Sequence, residues 1–548
     1  MYYEYPLTIG KLLTQTLYRR STNEVVYGNT RYTWTEFYER VKKLASGLES
    51  MGVKRGWKVA VVDFDTHRYL EAYYAVPMMG AVLHTVNIRL PLEQLVYTMS
   101  HAEDDVVLIR DEFLPMAAKI APNVRTVKGL VTMSDDGSAP SVPFPNTHYY
   151  EDLLSSSSSA GYEFPELDEN TRATLFYTSG TTGMPKGVWF THRQIVLHTL
   201  SVVIGFANSA SPVRLDPNDV VMPLVPFFHV HCWGIPYVAG ALGQKLVLAG
   251  KYDPARLLEL VAKEKVTFSS MVPTILNMVV NHPSAENYRE ALSKWKVTVG
   301  GSALPRGLAD KARQLGISVM SGYGLSETAP VLTLGTPLGD LSALRGDELL
   351  ERVMLKAGVP IHLVELRVVD SNMRDVPRDN RTMGEIVVRA PWTAREYYKD
   401  ESMTAQLWSG DWLHTGDLAV MDESGYIRIL DRIKDTIKSG GEWISSIQLE
   451  DLLMRVPGVM EAAVIRAKHP DWEERPVAIV HPKEGVELSE EQLREHLMEF
   501  VSQGVIAKFW VPDRFIIQPE PLPKTTTGKI DKKPLREKYT NLLLQSQS

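Results

Sequence analysis

An apolar, strand-like run at Ala173–Tyr177 leads into Thr178-Ser179-Gly180-Thr181-Thr182-Gly183-Met184-Pro185-Lys186-Gly187-Val188. Glycines let the backbone turn tightly and present its N–H groups, the hydroxyls of Thr178, Ser179, Thr181 and Thr182 add donors, and Lys186 adds charge. Such a set suits a polyphosphate. It is not a Walker-A loop, because Pro185 stands where that pattern needs its second glycine. A flexible linker of the same composition would not normally follow a buried-type strand or carry an embedded Pro-Lys-Gly.

Other segments could serve the same ligand. Ser321-Gly322-Tyr323-Gly324-Leu325-Ser326-Glu327-Thr328 sets a carboxylate beside hydroxyls, a suitable partner for Mg²⁺, which takes one or two carboxylates together with phosphate oxygens and water. Standing alone it would read as a plain turn. Asp417, in His414-Thr415-Gly416-Asp417, could accept from a pair of hydroxyls. Pro226-Phe227-Phe228-His229-Val230-His231-Cys232-Trp233-Gly234 invites a zinc reading. On a strand, however, Cys232 would point away from His229 and His231, and no fourth ligand is evident.

Tyr177–Val188 resembles the signature of the adenylate-forming superfamily, which contains acyl-CoA synthetases, luciferases and the adenylation domains of peptide synthetases. The other segments match that family in the expected order as far as Lys529. The resemblance implies ATP and coenzyme A as co-substrates and Mg²⁺ held by Glu327. It places the triphosphate against Thr178, Ser179, Gly180, Thr181, Thr182, Gly183 and Lys186. Adenine would lie beside Gly301, Ser302 and Ala303 of Gly300–Pro305 and against Tyr323 and Gly324, with Thr328 at the α-phosphate. Asp417 and Arg432 would hold the ribose. Lys529, in Pro523-Lys524-Thr525-Thr526-Thr527-Gly528-Lys529-Ile530, matches the catalytic lysine, and Glu327, Thr182 and His229 complete the expected catalytic group.

Lys438-Ser439-Gly440-Gly441-Glu442-Trp443-Ile444 resembles the segment that lines the thiol channel in a second orientation of the small domain, with Gly440 and Gly441 at the tunnel and Lys434 at the hinge. The acyl pocket implied by the family comprises His229, Trp233, Gly234, Tyr237 and Gly322. No acidic residue occurs from Val221 to Gly240 to pair with an ammonium group, which argues against an amino-acid substrate. Phe228–Tyr237 looks closest to the medium- and long-chain fatty acyl-CoA synthetase branch. The rivals are an aryl-acid CoA ligase of the coumarate or benzoate type, an acyl-AMP ligase serving a carrier protein, and a non-catalytic nucleotide sensor.

These residues need elements to carry them. Phe37, Val41, Leu44, Leu48 and Met51 recur at helical spacing, and Lys58–Val62, Ala81–His84 and Val106–Ile109 read as strands with helical sequence between them. That alternation predicts an α/β fold with parallel sheets covered on both faces. Short β-like runs from Pro360 to Arg432 predict a β-rich subdomain, and Ser155–Ser159 reads as a solvated loop. The expected organisation is a large N-terminal domain over 1–432 and a small, mobile α+β domain over 433–548.

The chain has 548 residues, too many for one core. Its formal net charge of −7 offers no broad basic field, so no nucleic-acid partner is expected. A single cysteine fits a reducing cytoplasm, no stretch is apolar enough for a membrane span, and the N-terminus lacks a secretory pattern. A cytoplasmic setting is expected, with peripheral membrane contact and a homodimer left open.

Overall fold

The computed structural model describes residues 3–138, 142–178, 184–207, 211–440, 442–525 and 530–544. Along the strand Lys58–Val62, Val59 and Val61 enter one apolar core while Ala60 and Val62 enter another. Val106–Arg110 divides in the same way, Val106 and Leu108 against Val107 and Ile109. Side chains on a strand alternate between faces, so a near-continuous apolar run is what a doubly covered sheet requires. This sheet orders its strands as Thr147–Tyr149, Gly129–Met133, Val106–Arg110, Lys58–Val62, Val82–Thr85, Arg172–Thr178 and Lys186–Thr191. All neighbours are parallel except the last pair, which is antiparallel. The helix Trp34–Ser50 covers one face. It starts at a capping box between Thr33 and Glu36 and buries Phe37, Val41, Leu44 and Leu48.

A second sheet of nine strands runs from Val359–Pro360 through Ser318–Gly324, Lys296–Val299 and Phe268–Met271 to Thr30–Thr33, with a parallel centre and antiparallel edges. The antiparallel strands Glu365–Val369, Gly384–Arg389, Trp412–Met421 and Ile427–Arg432 form most of a third sheet, over the span predicted to be β-rich.

Beyond Ile437 the chain builds cores of its own. On Val459–His469, Ala462 and Val464 face the helices Ser446–Leu453 and Glu490–Ser502, while Ala463, Ile465 and Ala467 face Leu535 and Leu543. The partner strand Glu473–Pro482 splits in the same manner.

One local expectation fails. The serine run starts inside a helix, because Tyr150–Ser156 takes in Ser155 and Ser156. Their hydroxyls donate to Asp152 O at 2.9 and 2.8 Å, so the last turn closes on side chains that would otherwise favour a loop.

Candidate active site

Thr178 and Lys186 are register partners in an antiparallel pair, so the two ends of the phosphate-type loop meet. Ser179, Gly180, Thr181, Thr182 and Gly183 lie outside the described residues. Lys186 projects its ammonium 4.9 Å from the centre of the Tyr397 ring. The Tyr397 hydroxyl in turn donates to Glu327 Oε1 at 2.7 Å. Burial, then the adjoining Glu327 carboxylate, raises the Tyr397 phenol above its ordinary range, so it stays a neutral donor. Tyr397 thereby joins the expected phosphate cation to the expected metal carboxylate. No motif or periodicity singles it out in the sequence, since it follows an irregular stretch and its role depends on what lies across from it. The same segment docks on the strand carrying Lys186: Tyr398 N donates to Gly187 O at 2.8 Å, and Val188 bridges Tyr397.

A second cluster lies on the antiparallel strands Trp412–Met421 and Ile427–Arg432, where Asp417 and Arg432 are register partners. Arg432 Nε lies 3.2 Å from Asp417 Oδ1, and the Tyr323 hydroxyl donates to Asp417 Oδ2 at 2.8 Å. Burial alone would lower the Arg432 guanidinium, but Asp417 and Asp435 outweigh it and hold it protonated. Burial, then Asp417, raises the Tyr323 phenol well above its usual range. Glu385, which sequence reasoning passed over, shapes the approach to Asp417. Its carboxylate lies 2.9 Å from His414 Nδ1 and accepts from Gly416 N at 3.0 Å.

Tyr323 reaches this position from Ser318–Gly324, where Gly324 is obligatory: a Cβ there would lie 1.8 Å from Pro330 O. Glu327 follows in a short turn, and Ala394 N donates to its carbonyl at 2.7 Å. Thr328 is buried and its hydroxyl donates to Pro330 O at 2.5 Å, so contact with a phosphate would require that hydroxyl to change partner. Gly301, Ser302 and Ala303 form an exposed turn between the strand Lys296–Val299 and the helix Arg306–Gln314.

The segment expected to line the acyl pocket departs from the strand assumed for it. Val230, His231, Cys232 and Trp233 all take positive φ, at 38, 57, 52 and 56°. A left-handed turn of side-chain-bearing residues costs roughly 1–2 kcal/mol per residue, so its surroundings must impose it. The zinc argument based on strand geometry therefore lapses, and direct partners replace it. His231 Nε2 lies 2.7 Å from Thr174 Oγ1, and Cys232 Sγ donates to Val225 O at 2.8 Å. Burial holds the His231 imidazole down at about 3, hence neutral. Among the described residues no group of three His, Cys, Asp or Glu side chains could hold a metal ion.

His229 caps this turn and is partly exposed. Trp233 is almost wholly buried, with its indole against Gly300, where a Cβ would meet it at 3.0 Å. Gly322 lies next to it: its carbonyl is 3.1 Å from that same Cβ position. Gly234 abuts His198. Tyr237 belongs instead to a packed aromatic group with Tyr73 and Tyr74, each at 5.5 Å, and its hydroxyl donates to Tyr73 O at 3.3 Å.

At the junction between the cores, burial and the neighbouring Arg432 lower Lys434 to about 8. Gly440 has φ of 57° and packs under Trp472. Gly441 and Lys529 lie outside the described residues.

The model of the AMP-binding enzyme family matches residues 14–398, and that of the AMP-binding enzyme C-terminal domain matches residues 448–529. A long-chain-fatty-acid–CoA ligase of Thermus thermophilus is 42% identical over 515 residues, 93% of this chain and 91% of that protein. A medium-chain-fatty-acid–CoA ligase of Ectopseudomonas oleovorans is 38% identical over 549 residues, 99% and 98% of the two chains. The crystal structure of ATP-bound MatB from Rhodopseudomonas palustris superposes with a TM-score of 0.82 at 25% identity, covering 98% of this chain and all of that one. With Tyr323, Asp417 and Arg432 gathered beside Lys186, Tyr397 and Glu327, and with a family model spanning most of its length, the chain belongs to the AMP-binding enzymes.

Proposed function

We propose that this protein is an AMP-forming fatty acid–CoA ligase acting on medium- or long-chain acids. The fatty-acid carboxylate attacks the α-phosphorus of ATP, pyrophosphate leaves, and the thiol of coenzyme A then displaces AMP from the acyl-adenylate. The observation that carries this reading is the convergence of Asp417 and Arg432 with Tyr323, from separate strands, on the face expected for the ribose. The relatives' printed activities support the substrate class.

Glu327 fits Mg²⁺ by its chemistry. Its Oε1 accepts from the Tyr397 phenol, and carboxylate oxygens are the hard ligands that ion takes. When bound there, Mg²⁺ would offset charge on the phosphate oxygens. Lys186 supplies further positive charge from over the Tyr397 ring. His229 would stand beside the substrate carboxylate, and the Trp233–Gly300–Gly322 wall would receive the alkyl chain. Each buried methylene adds about 0.8 kcal/mol, so an apolar tunnel there would favour longer chains steeply.

We assign residues 1–432 to a nucleotide and acyl domain and 433–548 to a mobile one that turns about Lys434 between the two steps, exchanging Lys529 for Gly441 at the site. The separate cores on either side of the junction support this division. Among the described residues no helix is long and apolar enough to cross a membrane. Peripheral attachment and a homodimer fit this reading but do not follow from it.

A panel of straight-chain acids, coumarate and benzoate, incubated with and without coenzyme A and read by mass spectrometry for AMP and acyl-CoA, tests the reading. Decanoate or palmitate should outperform both aryl acids and yield acyl-CoA only when coenzyme A is present. Aryl acids in the lead would indicate an aryl-acid ligase. Acid-dependent AMP without acyl-CoA would point to a carrier-protein acceptor. No AMP with any acid would favour a non-catalytic sensor.

A further inference from the structure

The left-handed turn at Val230–Trp233 does not arise from its own sequence, which holds no glycine before Gly234. Its entry is gripped through the main chain. Asp65 Oδ1 accepts from Phe227 N at 2.8 Å, the Tyr73 hydroxyl donates to Phe227 O, and Thr85 Oγ1 donates to Phe228 O at 3.3 Å. The three side chains follow one another along one strand–helix–strand unit: Asp65 lies just past the strand Lys58–Val62, Tyr73 on the helix His67–Met78, and Thr85 at the end of the strand Val82–Thr85. Trp233 meanwhile packs on Gly300, beyond the end of a strand of the other sheet.

Asp65 is 3% exposed, and its second oxygen accepts from the Tyr252 hydroxyl. Two donors thus converge on one carboxyl group, which burial raises to about 7 against the pull of both hydrogen bonds. A carboxylate in that position carries a large desolvation cost unless both donors are kept. Nothing in the chemistry of adenylation uses it.

Resting on the fatty-acid reading above, we propose that Asp65 is a positioning residue for acyl-chain selection: by holding the Phe227 main chain it imposes the left-handed turn that sets Trp233 across Gly300. Without that grip the turn relaxes toward ordinary backbone conformations, and the indole no longer sits at one depth in the pocket. Because the contact is to the main chain, it sets where the wall stands without contributing a side chain to it.

The test compares steady-state kinetics of the full-length wild type, Asp65→Ala, Asp65→Asn and Tyr252→Phe on butyrate, hexanoate, decanoate and palmitate, with ATP and coenzyme A saturating and then varied. In Asp65→Ala the decanoate-over-butyrate ratio of kcat/KM should fall at least about fivefold, the effect of releasing one strained residue, while KM for ATP stays within about twofold. Asp65→Asn, which can still accept from Phe227 N, should recover most of the ratio. Tyr252→Phe should shift it in the same direction by less.

A chain-length profile in folded, active Asp65→Ala identical to the wild type would overturn the proposal. So would parallel loss for ATP and every acid, because a purely structural role would weaken all substrates alike. If Asp65→Ala does not fold, an unchanged profile in Tyr252→Phe overturns it instead. A wild type that adenylates no straight-chain acid overturns both this inference and the functional reading. A selective wild type with unaltered variants overturns this inference alone.

Discussion

Lys529→Ala is expected to abolish acyl-adenylate formation while leaving thioester formation from supplied acyl-AMP largely intact. In the first step negative charge builds on the α-phosphate oxygens, and a cation aimed at them acts only while that charge develops. Removal of one such preorganised group typically costs about 100–1000-fold in rate. In the second step the phosphate is already esterified and the thiol attacks a carbonyl, so the same cation has no comparable task. The residues flanking Lys529 are tied together: Asp531 N donates to Pro523 O at 2.7 Å, Lys524 bridges Ile530, and the Lys524 ammonium lies 2.6 Å from Glu461. Gly441→Leu is expected to show the reverse pattern, with pyrophosphate exchange retained and transfer to coenzyme A blocked. Both half-reactions can be followed separately, by exchange of labelled pyrophosphate into ATP and by release of acyl-CoA from synthetic acyl-AMP. Equal loss of both steps in both variants would sink the proposed rotation about Lys434.

Asp417→Ala should raise KM for ATP at least about tenfold and leave KM for the fatty acid nearly unchanged. A hydrogen bond to a charged group is worth about 1.5–3 kcal/mol, and tenfold corresponds to about 1.4 kcal/mol, so one lost ribose contact suffices. The geometry adds a second cost. Asp417 is the shared partner of the Tyr323 hydroxyl and the Arg432 guanidinium, so its removal also frees the ring expected against adenine. Asp417→Asn keeps the shape but weakens the ion pair with Arg432, and should fall between wild type and Ala. Thermal unfolding of each variant separates loss of binding from loss of fold. If KM for ATP did not move in a folded Asp417→Ala enzyme, the ribose assignment would fail.

The architecture was legible because burial writes itself into residue order. The apolar run Val59–Val62 supplies both faces of a doubly covered strand, and the spacing from Phe37 to Leu48 supplies one face of a helix. The candidate nucleotide-site residues stand out in the sequence for a different reason: glycine, hydroxyl, lysine and carboxylate types in compact segments have few other uses in combination. Tyr397 and Glu385 were not legible. Each acts on a residue remote in sequence, Tyr397 on Glu327 and Glu385 on His414, and the local pattern around each says nothing of that partner. The turn at Val230–Trp233 was misread as a strand because its residue types suit one.

Residue order by itself determined the alternation of strands and helices, the glycine- and hydroxyl-rich loop and its collinear partners, and the absence of acidic residues from Val221 to Gly240. Periodicity and local composition encode those features without reference to the rest of the chain. Only the tertiary structure decided that Asp417 faces Arg432 and Tyr323, that Tyr397 joins Lys186 to Glu327, and that the turn Val230–Trp233 is left-handed. The last of these opposes the local preference of every side-chain-bearing residue in the turn, and at its entry Asp65, Tyr73 and Thr85, more than 140 residues earlier in the chain, fasten the main chain of Phe227 and Phe228 from outside.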